Sequence, residues 1–371
     1  MKKSNHRTLF NSLISLFIII GVVVLTQISM PNPNQFCIQP EPDATWTFGR
    51  HVAMNDKYLV LSDSLRNKVI VYTPDESGEW GKAKEILPPA NLDLSQEIGS
   101  GSAFGSGLEL DGDVLTISAM TKNPEWLKRD FSQSLRDGIP QYVYWRYLTN
   151  LKKQTPLKPI DLLVEPEPEL DRVRFNLLRQ GKIEQFILPN MGEKILGSNE
   201  GRLSSSVALD GNLLLVGYAS NYTGGAFLFD LARPEAEPLN LAVEDTALGN
   251  RVAVSQQFAA VGFDGHYWYF PQGNARDRSH KTLIRNLENG ASTIIRSFGQ
   301  VSLSGNILAV MNPGSGDTES QFIEVFRLDE NAQAHLITKR TVFIGEVQNG
   351  FLFTKKFNDS NKVCIEPLPQ N

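Results

Sequence analysis

A short motif returns along this chain. A Phe-Gly or Leu-Gly pair leads into an alternating strand, a tight turn, a second apolar strand and, after a variable loop, an aromatic strand. The clearest copies run Phe104-Gly105-Ser106-Gly107-Leu108-Glu109-Leu110-Asp111-Gly112-Asp113-Val114-Leu115 and Phe298-Gly299-Gln300-Val301-Ser302-Leu303-Ser304-Gly305-Asn306-Ile307-Leu308. Others begin at Phe48-Gly49, at Leu203 and at Leu248-Gly249, and a worn copy spans Val342 to Phe353. One such unit cannot bury its apolar faces alone, so copies must stack, and the chain is confined to an array of similar small sheets.

The starts at 48, 104, 203, 248, 298 and about 342 are mostly about 45–55 residues apart, the length of one four-stranded propeller blade. A single gap of about 99 residues, from 104 to 203, holds either an eroded blade or a large insertion. The predicted fold is therefore an all-β propeller over residues 36–371, with six or seven four-stranded antiparallel blades. In Val207-Ala208-Leu209-Asp210-Gly211-Asn212-Leu213-Leu214 an Asp-Gly pair between apolar runs predicts a two-residue hairpin turn with positive φ at both central positions. The second strand is apolar nearly throughout, as packing on both faces requires. Aromatic third strands are expected at Val71-Tyr72, Phe227-Leu228-Phe229, Tyr267-Trp268-Tyr269-Phe270 and Val325-Phe326. Glycine after Phe or Leu marks a sharp turn or a close backbone approach.

These residues resemble the FG-GAP repeat, the blade unit of the integrin α-subunit propeller and of many bacterial surface and periplasmic proteins. The resemblance covers roughly residues 36–371 and is weakest at 121–200 and after 340. It implies the fold and leaves the ligand open, because this blade serves many unrelated purposes. Integrin-type repeats often carry a D-x-D-x-D-G calcium loop between the first two strands. Here that connection is cut to Asn55-Asp56-Lys57, Asp111-Gly112-Asp113, Asp210-Gly211-Asn212 and Ser304-Gly305-Asn306. Such turns are too short to wrap six or more oxygens around an ion, so hairpin chemistry explains them and no calcium or other cofactor is expected.

The N-terminus is a membrane signal. Lys2, Lys3 and Arg7 precede an apolar stretch from Leu13 to Leu25, predicting a transmembrane anchor within residues 1–30 and a linker over 31–35. The positive flank should stay cytoplasmic, which places the propeller on the extracytoplasmic side. A cleaved signal peptide would secrete the chain instead; no A-x-A-like site follows the apolar core. A formal net charge of -5 gives no general attraction to nucleic acid.

Only two cysteines occur, Cys37 and Cys364, one at each end of the exported part. A propeller closes its ring by pairing a strand from one terminus with strands from the other. If Phe36-Cys37-Ile38-Gln39 is the outer strand of a last blade and Lys362-Val363-Cys364-Ile365 its neighbour, the two thiols meet and form a disulfide in an oxidising compartment. The alternative is two unrelated buried thiols.

Between residues 121 and 171 the repeat stops. Trp126/Leu127, Phe131 and Leu135 lie at helical spacing, predicting a short amphipathic helix in a partly helical insertion. The run Tyr142-Val143-Tyr144-Trp145-Arg146-Tyr147 follows, then a Glu-Pro run at Glu165 to Glu169 expected to be an extended connector, then a hairpin of Arg172 to Leu178 and Lys182 to Leu188. Trp126, Tyr142, Tyr144, Trp145, Arg146 and Tyr147 form the candidate partner surface, because propeller function usually resides in loops and insertions. The competing reading makes Tyr142 to Tyr147 an ordinary strand.

Catalytic signatures are missing: the five histidines are scattered, and there is no H-E-x-x-H or G-x-S-x-G motif. The favoured function is a membrane-anchored, non-enzymatic platform for a protein or a glycan. One alternative is an extracytoplasmic hydrolase or lyase acting on a polysaccharide or ester in the central channel, marked by acidic, His or Arg side chains converging there. Another is a structural part of an envelope assembly complex.

Overall fold

The computed structural model describes residues 35–90, 92, 103–123, 128–136, 142–161, 164–167, 172–189, 207–219, 224–241, 251–262, 281–297, 299–312, 321–342, 344–355 and 362–368. The predicted anchor and linker lie outside these residues, apart from the linker's last residue. Among the described residues no helix is long and apolar enough to cross a membrane. They form a propeller of six four-stranded antiparallel blades, with one three-stranded sheet set into the ring. In chain order the sheets span 48–86 (blade 1), 103–160 (blade 2), 164–189 (blade 3, three strands), 207–240 (blade 4), 251–295 (blade 5), 300–341 (blade 6) and 344–367 (blade 7). The long gap between motif copies thus holds both an insertion in blade 2 and an eroded blade 3.

Blade 7 is completed by the N-terminal strand Phe36–Ile38, which pairs antiparallel with Val363–Pro367. Cys37 lies directly opposite Cys364 in that register, and the two form a disulfide. Around this closure Ile38, Phe48, Val52, Leu61, Phe353 and Ile365 share one apolar cluster. Similar clusters fill the seams between blades 1 and 2, 3 and 4, 4 and 5, 5 and 6, and 6 and 7. The described residues give no such cluster to the seam between blades 2 and 3. There the buried guanidinium of Arg146 donates to Glu109 Oε2 at 2.6 Å and to the Asn176 carbonyl at 2.6 Å, and Thr116 adds a bond to Glu109.

The Phe-Gly pair makes a repeated bulge. Phe48 and Phe104 are fully buried, and each stands where the pairing of the first two strands slips, between Phe48 and Val52 and between Phe104 and Gly107. A bulge of this kind needs a residue in the left-handed region, and Gly49 (φ 71°) and Gly105 (φ 85°) supply it. The two glycines differ in their surroundings. A Cβ on Gly49 would come within 2.1 Å of Val363 Cγ2, on Gly105 within 3.1 Å of Ser62 and Val69, and on Gly112, in a hairpin turn, within 4 Å of nothing. Alanine substitutions should therefore rank in that order: about 2–4 kcal/mol lost for Gly49→Ala, less for Gly105→Ala, and about 1 kcal/mol for Gly112→Ala, where only the backbone angle is strained. Urea midpoints of the three variants check the ranking, and equal losses would refute the close-approach account.

The hairpin turns differ from the prediction in one respect. At Gly112, Gly211 and Gly305 only the glycine, the first central residue, has positive φ, because the strands pair Asp111 with Val114, Asp210 with Leu213 and Ser304 with Ile307. Both central residues are positive at Gln180-Gly181 and at Asn349-Gly350. The polar residues at these turns bond to neighbouring blades. Asn349 donates to the Met54 carbonyl, Asn55 to the Gly112 carbonyl at 2.8 Å, and the Gly181 amide to Asp111 at 3.0 Å. Arg179 reaches Asn212, Gln256 the Asp210 carbonyl at 2.8 Å, and the Gly350 amide Ser304 at 2.7 Å. Between blades 5 and 6 the same service comes from Asn286 and Asn289 on the Glu330 carbonyl. A belt of blade-to-blade bonds thus runs around this end of the ring.

Blade 2 corrects the expected insertion. Tyr142–Asn150 is its third strand and Lys158–Ile160 its fourth, so much of the expected insertion is regular blade, and a helix α1 spans Phe131–Arg136. The described part of the Glu-Pro run lies in Val164–Glu167, a paired strand of blade 3 and not a connector. The hairpin of Arg172–Arg179 and Lys182–Pro189 forms with Arg179 opposite Lys182. Blade 5 takes its third strand from Thr282–Asn286 instead of the aromatic run at 267–270, which lies outside the described residues.

Candidate functional site

The first strand of each four-stranded blade lies on the inside. Phe48–Met54 touches Ala103–Asp111 and Ile344–Gln348, and Arg251–Val254 touches Val207–Asp210 and Gln300–Ser304. These strands bring His51 (blade 1), Arg251 (blade 5) and Glu346 (blade 7) to the centre of the ring. All three are half-buried. Burial pulls His51 down to about 4, helped by the positive charges of Arg50 and Arg251. Burial alone pushes Glu346 up to about 7. No group of His, Cys, Asp or Glu among the described residues could hold a metal ion.

The two groups bias stability in opposite directions. His51 binds fewer protons folded than unfolded between about 4 and its ordinary 6.5, so it makes stability rise with pH there. Glu346 binds more protons folded than unfolded between its ordinary 4.5 and about 7, so it makes stability fall as pH rises. In the overlap they cancel. His51→Asn should unmask a fall of about 1–2 kcal/mol as pH rises through the overlap, and Glu346→Gln a rise of similar size, both discounted for solvent in the passage. Urea titrations of the two variants across that range test this, and parallel slopes in both would refute it.

At one edge of blade 1 a second arrangement stands out. Trp46, two residues before Phe48, is 47% exposed, while the backbone around it is pinned by buried groups. The Asp63 carboxylate accepts from the Thr45 amide at 2.9 Å and from both threonine hydroxyls, and Thr47 Oγ1 accepts from the Leu65 amide at 3.0 Å. From blade 7 the buried Lys355 donates to the Trp46 and Phe48 carbonyls, each at 2.6 Å. Burial brings the Lys355 ammonium down to about 8, opposed by the Asp63 charge. The Arg50 guanidinium lies over the Trp46 ring, 5.7 Å from its centre.

Of the residues expected to form a partner surface, three have described side chains, and one of these three is exposed. Trp126 lies outside the described residues. Tyr142 and Tyr144 stand on the third strand of blade 2, opposite Lys122 and Met120. Trp145 is 45% exposed and its indole donates to Thr121 at 3.2 Å. Arg146 and Tyr147 are buried, Arg146 in the seam to blade 3 and Tyr147 against Phe104. Strand alternation turns successive side chains to opposite faces, and here the faces of blade 2 meet its neighbours, so these two serve packing. Sequence reasoning passed over Trp46, Arg50 and His51. Their signal was position: two residues before, two after and three after the first Phe of the motif.

No family model matches the chain, and no curated protein matches it significantly. Solved structures do share its general shape. A functionally unknown protein from Desulfotomaculum acetoxidans DSM 771 is 9% identical with a TM-score of 0.44, covering 84% of this chain and 93% of that one. A protein from Lactobacillus plantarum is 11% identical with a TM-score of 0.44, covering 86% and 87%. Acylaminoacyl peptidase, in complex with Z-Gly-Gly-Phe-chloromethyl ketone, is 9% identical with a TM-score of 0.39 over 86% of this chain and 44% of the peptidase. Likeness at this level carries no functional argument.

Proposed function

We propose that this chain is an exported propeller of FG-GAP-like blades, tethered through its N-terminal segment, that binds a protein or glycan rather than catalysing a reaction. The observation that carries this reading is the pair of half-exposed tryptophans, Trp46 and Trp145, held on hydrogen-bonded backbone. Tryptophan is the residue type most enriched at binding hot spots, and a pinned one loses little freedom on binding. The Cys37–Cys364 disulfide supports an extracytoplasmic setting, where such bonds persist. A hydrolase or lyase using the centre of the ring is the second reading, favoured by the place of His51 and Arg251 on inner strands.

Cross-linking and affinity purification from native membranes test the platform. The intact chain is compared with a Trp46→Ala/Trp145→Ala variant and with a version carrying a short linker in place of 123–141. Specific partners lost from either altered chain, with the propeller still folded, support the reading. A partner list unchanged in both would overturn the assignment to these surfaces. An empty list, with turnover of a polysaccharide or ester by the intact chain and its loss in His51→Asn, would replace it with the enzyme.

A further inference from the structure

We propose that Trp46 and Arg50 form a binding platform for an acidic sugar, a hexuronate whose apolar ring face lies on the indole and whose carboxylate pairs with the guanidinium. This inference rests on the platform reading and names its ligand class. Three features support it. The Thr45-Trp46-Thr47 segment turns its polar groups inward, to Asp63, Leu65 and Lys355, and its indole outward. Such a scaffold preorganises the exposed ring and would be superfluous for a side chain that only covers a surface. Arg50 is exposed, lies over the ring, and has no carboxylate partner among the described residues. The nearby acids are already engaged: Asp63 by the threonines, Asp43 by Arg66, and Glu41 by Lys68 and Lys82. The free charge at this edge is therefore positive, and it invites a carboxylate.

The form of the site favours a sugar over a peptide. A protein hot spot needs a desolvated pocket ringed by further contacts. Among the described residues the other large exposed apolar side chains are Leu87, Trp145, Ile187, Leu239, Ile294 and Leu336, and none of them belongs to the Trp46 segment or to the inner strand of blade 1. One indole with a guanidinium over it, 5.7 Å from its centre, leaves its other face for a single pyranose carboxylate, apolar on its ring face and charged at one end.

The test is titration of the full chain with a panel of hexuronate oligosaccharides and their neutral methyl esters, at low and at physiological salt, followed by calorimetry and tryptophan fluorescence. The expected result is binding to at least one acidic oligosaccharide, weakened at least tenfold by Trp46→Ala. Arg50→Gln, which leaves the indole and its scaffold intact, should lose the preference for acid over ester. Leu336→Ala, an exposed apolar change on blade 6 away from this segment, should bind as the parent does. No binding to any acidic oligosaccharide, equal binding to acid and ester, or binding indifferent to both substitutions would overturn the inference. If sugars fail but a membrane protein partner is lost with Trp46→Ala, the sugar assignment falls and the platform stands.

Discussion

Replacing Cys37 and Cys364 by serine is expected to lower the stability of the folded propeller by about 3–5 kcal/mol, and reduction of the parent protein to do the same. The bond spans 327 residues. In the chain-entropy model a loop of that length constrains the unfolded state by about 5–6 kcal/mol, and measured bridges commonly fall short of the model. A second effect adds to it. The strand Phe36–Ile38 has only three residues, and its one sheet partner among the described residues is Val363–Pro367, so without the bond the outer strand of blade 7 rests on a few hydrogen bonds and the burial of Ile38. A strand so short frays readily, and once it leaves, the apolar cluster between blades 7 and 1 opens to water. Urea unfolding of the parent, the reduced parent and the double-serine variant measures this. The two altered samples should share one lowered midpoint. Free thiols in native protein, or a reduced midpoint equal to the oxidised one, would refute the clasp.

What could be read from the chain was whatever follows from local periodicity or from ring closure. Hairpins, buried second strands and a special backbone at the motif glycine all follow from residue types at fixed offsets, and Cys37 and Cys364 from the need to join the two termini, whereas the bulge itself shows only in the pairing. What could not be read was direction between blades. Alternation places Trp145 and Tyr147 on the same face of their strand and Arg146 on the other, yet gives no hint that blade 3 would be thin enough to leave a buried guanidinium in its seam. The charges of the passage were invisible for a similar reason. His51, Arg251 and Glu346 are far apart in the chain, and only the propeller fold sets all three on inner strands. Blade 5 misled because its aromatic run and its actual third strand, Thr282–Asn286, both follow the second strand, and only pairing distinguishes them.

Arg146→Ala should cost about 3–5 kcal/mol, a loss in stability and not merely in a partner contact. All six of the other seams share apolar surface, and blade 7 at the closure also carries the disulfide between two of its own strands. Between blades 2 and 3 the described residues offer Arg146 instead, with its bonds to Glu109 and to the Asn176 carbonyl. Removing the cation leaves the Asn176 carbonyl without its donor and Glu109 without its ion pair. It also opens a void the length of an arginine stem, while the Glu109 carboxylate, nearly half exposed, is left to water and not stranded in the core. Arg146→Met separates the two effects, since it refills the stem but not the bonds and should recover part of the loss. Glu109, nearly half exposed, can turn to water, so Glu109→Gln should be milder than either. Hydrogen exchange locates the damage: amides of Arg172–Arg179 and Ala103–Asp111 should lose protection before those of blades 5 and 6. Uniform loss around the ring, or Arg146→Ala unfolding at the parent midpoint, would mean that this seam does not depend on its arginine.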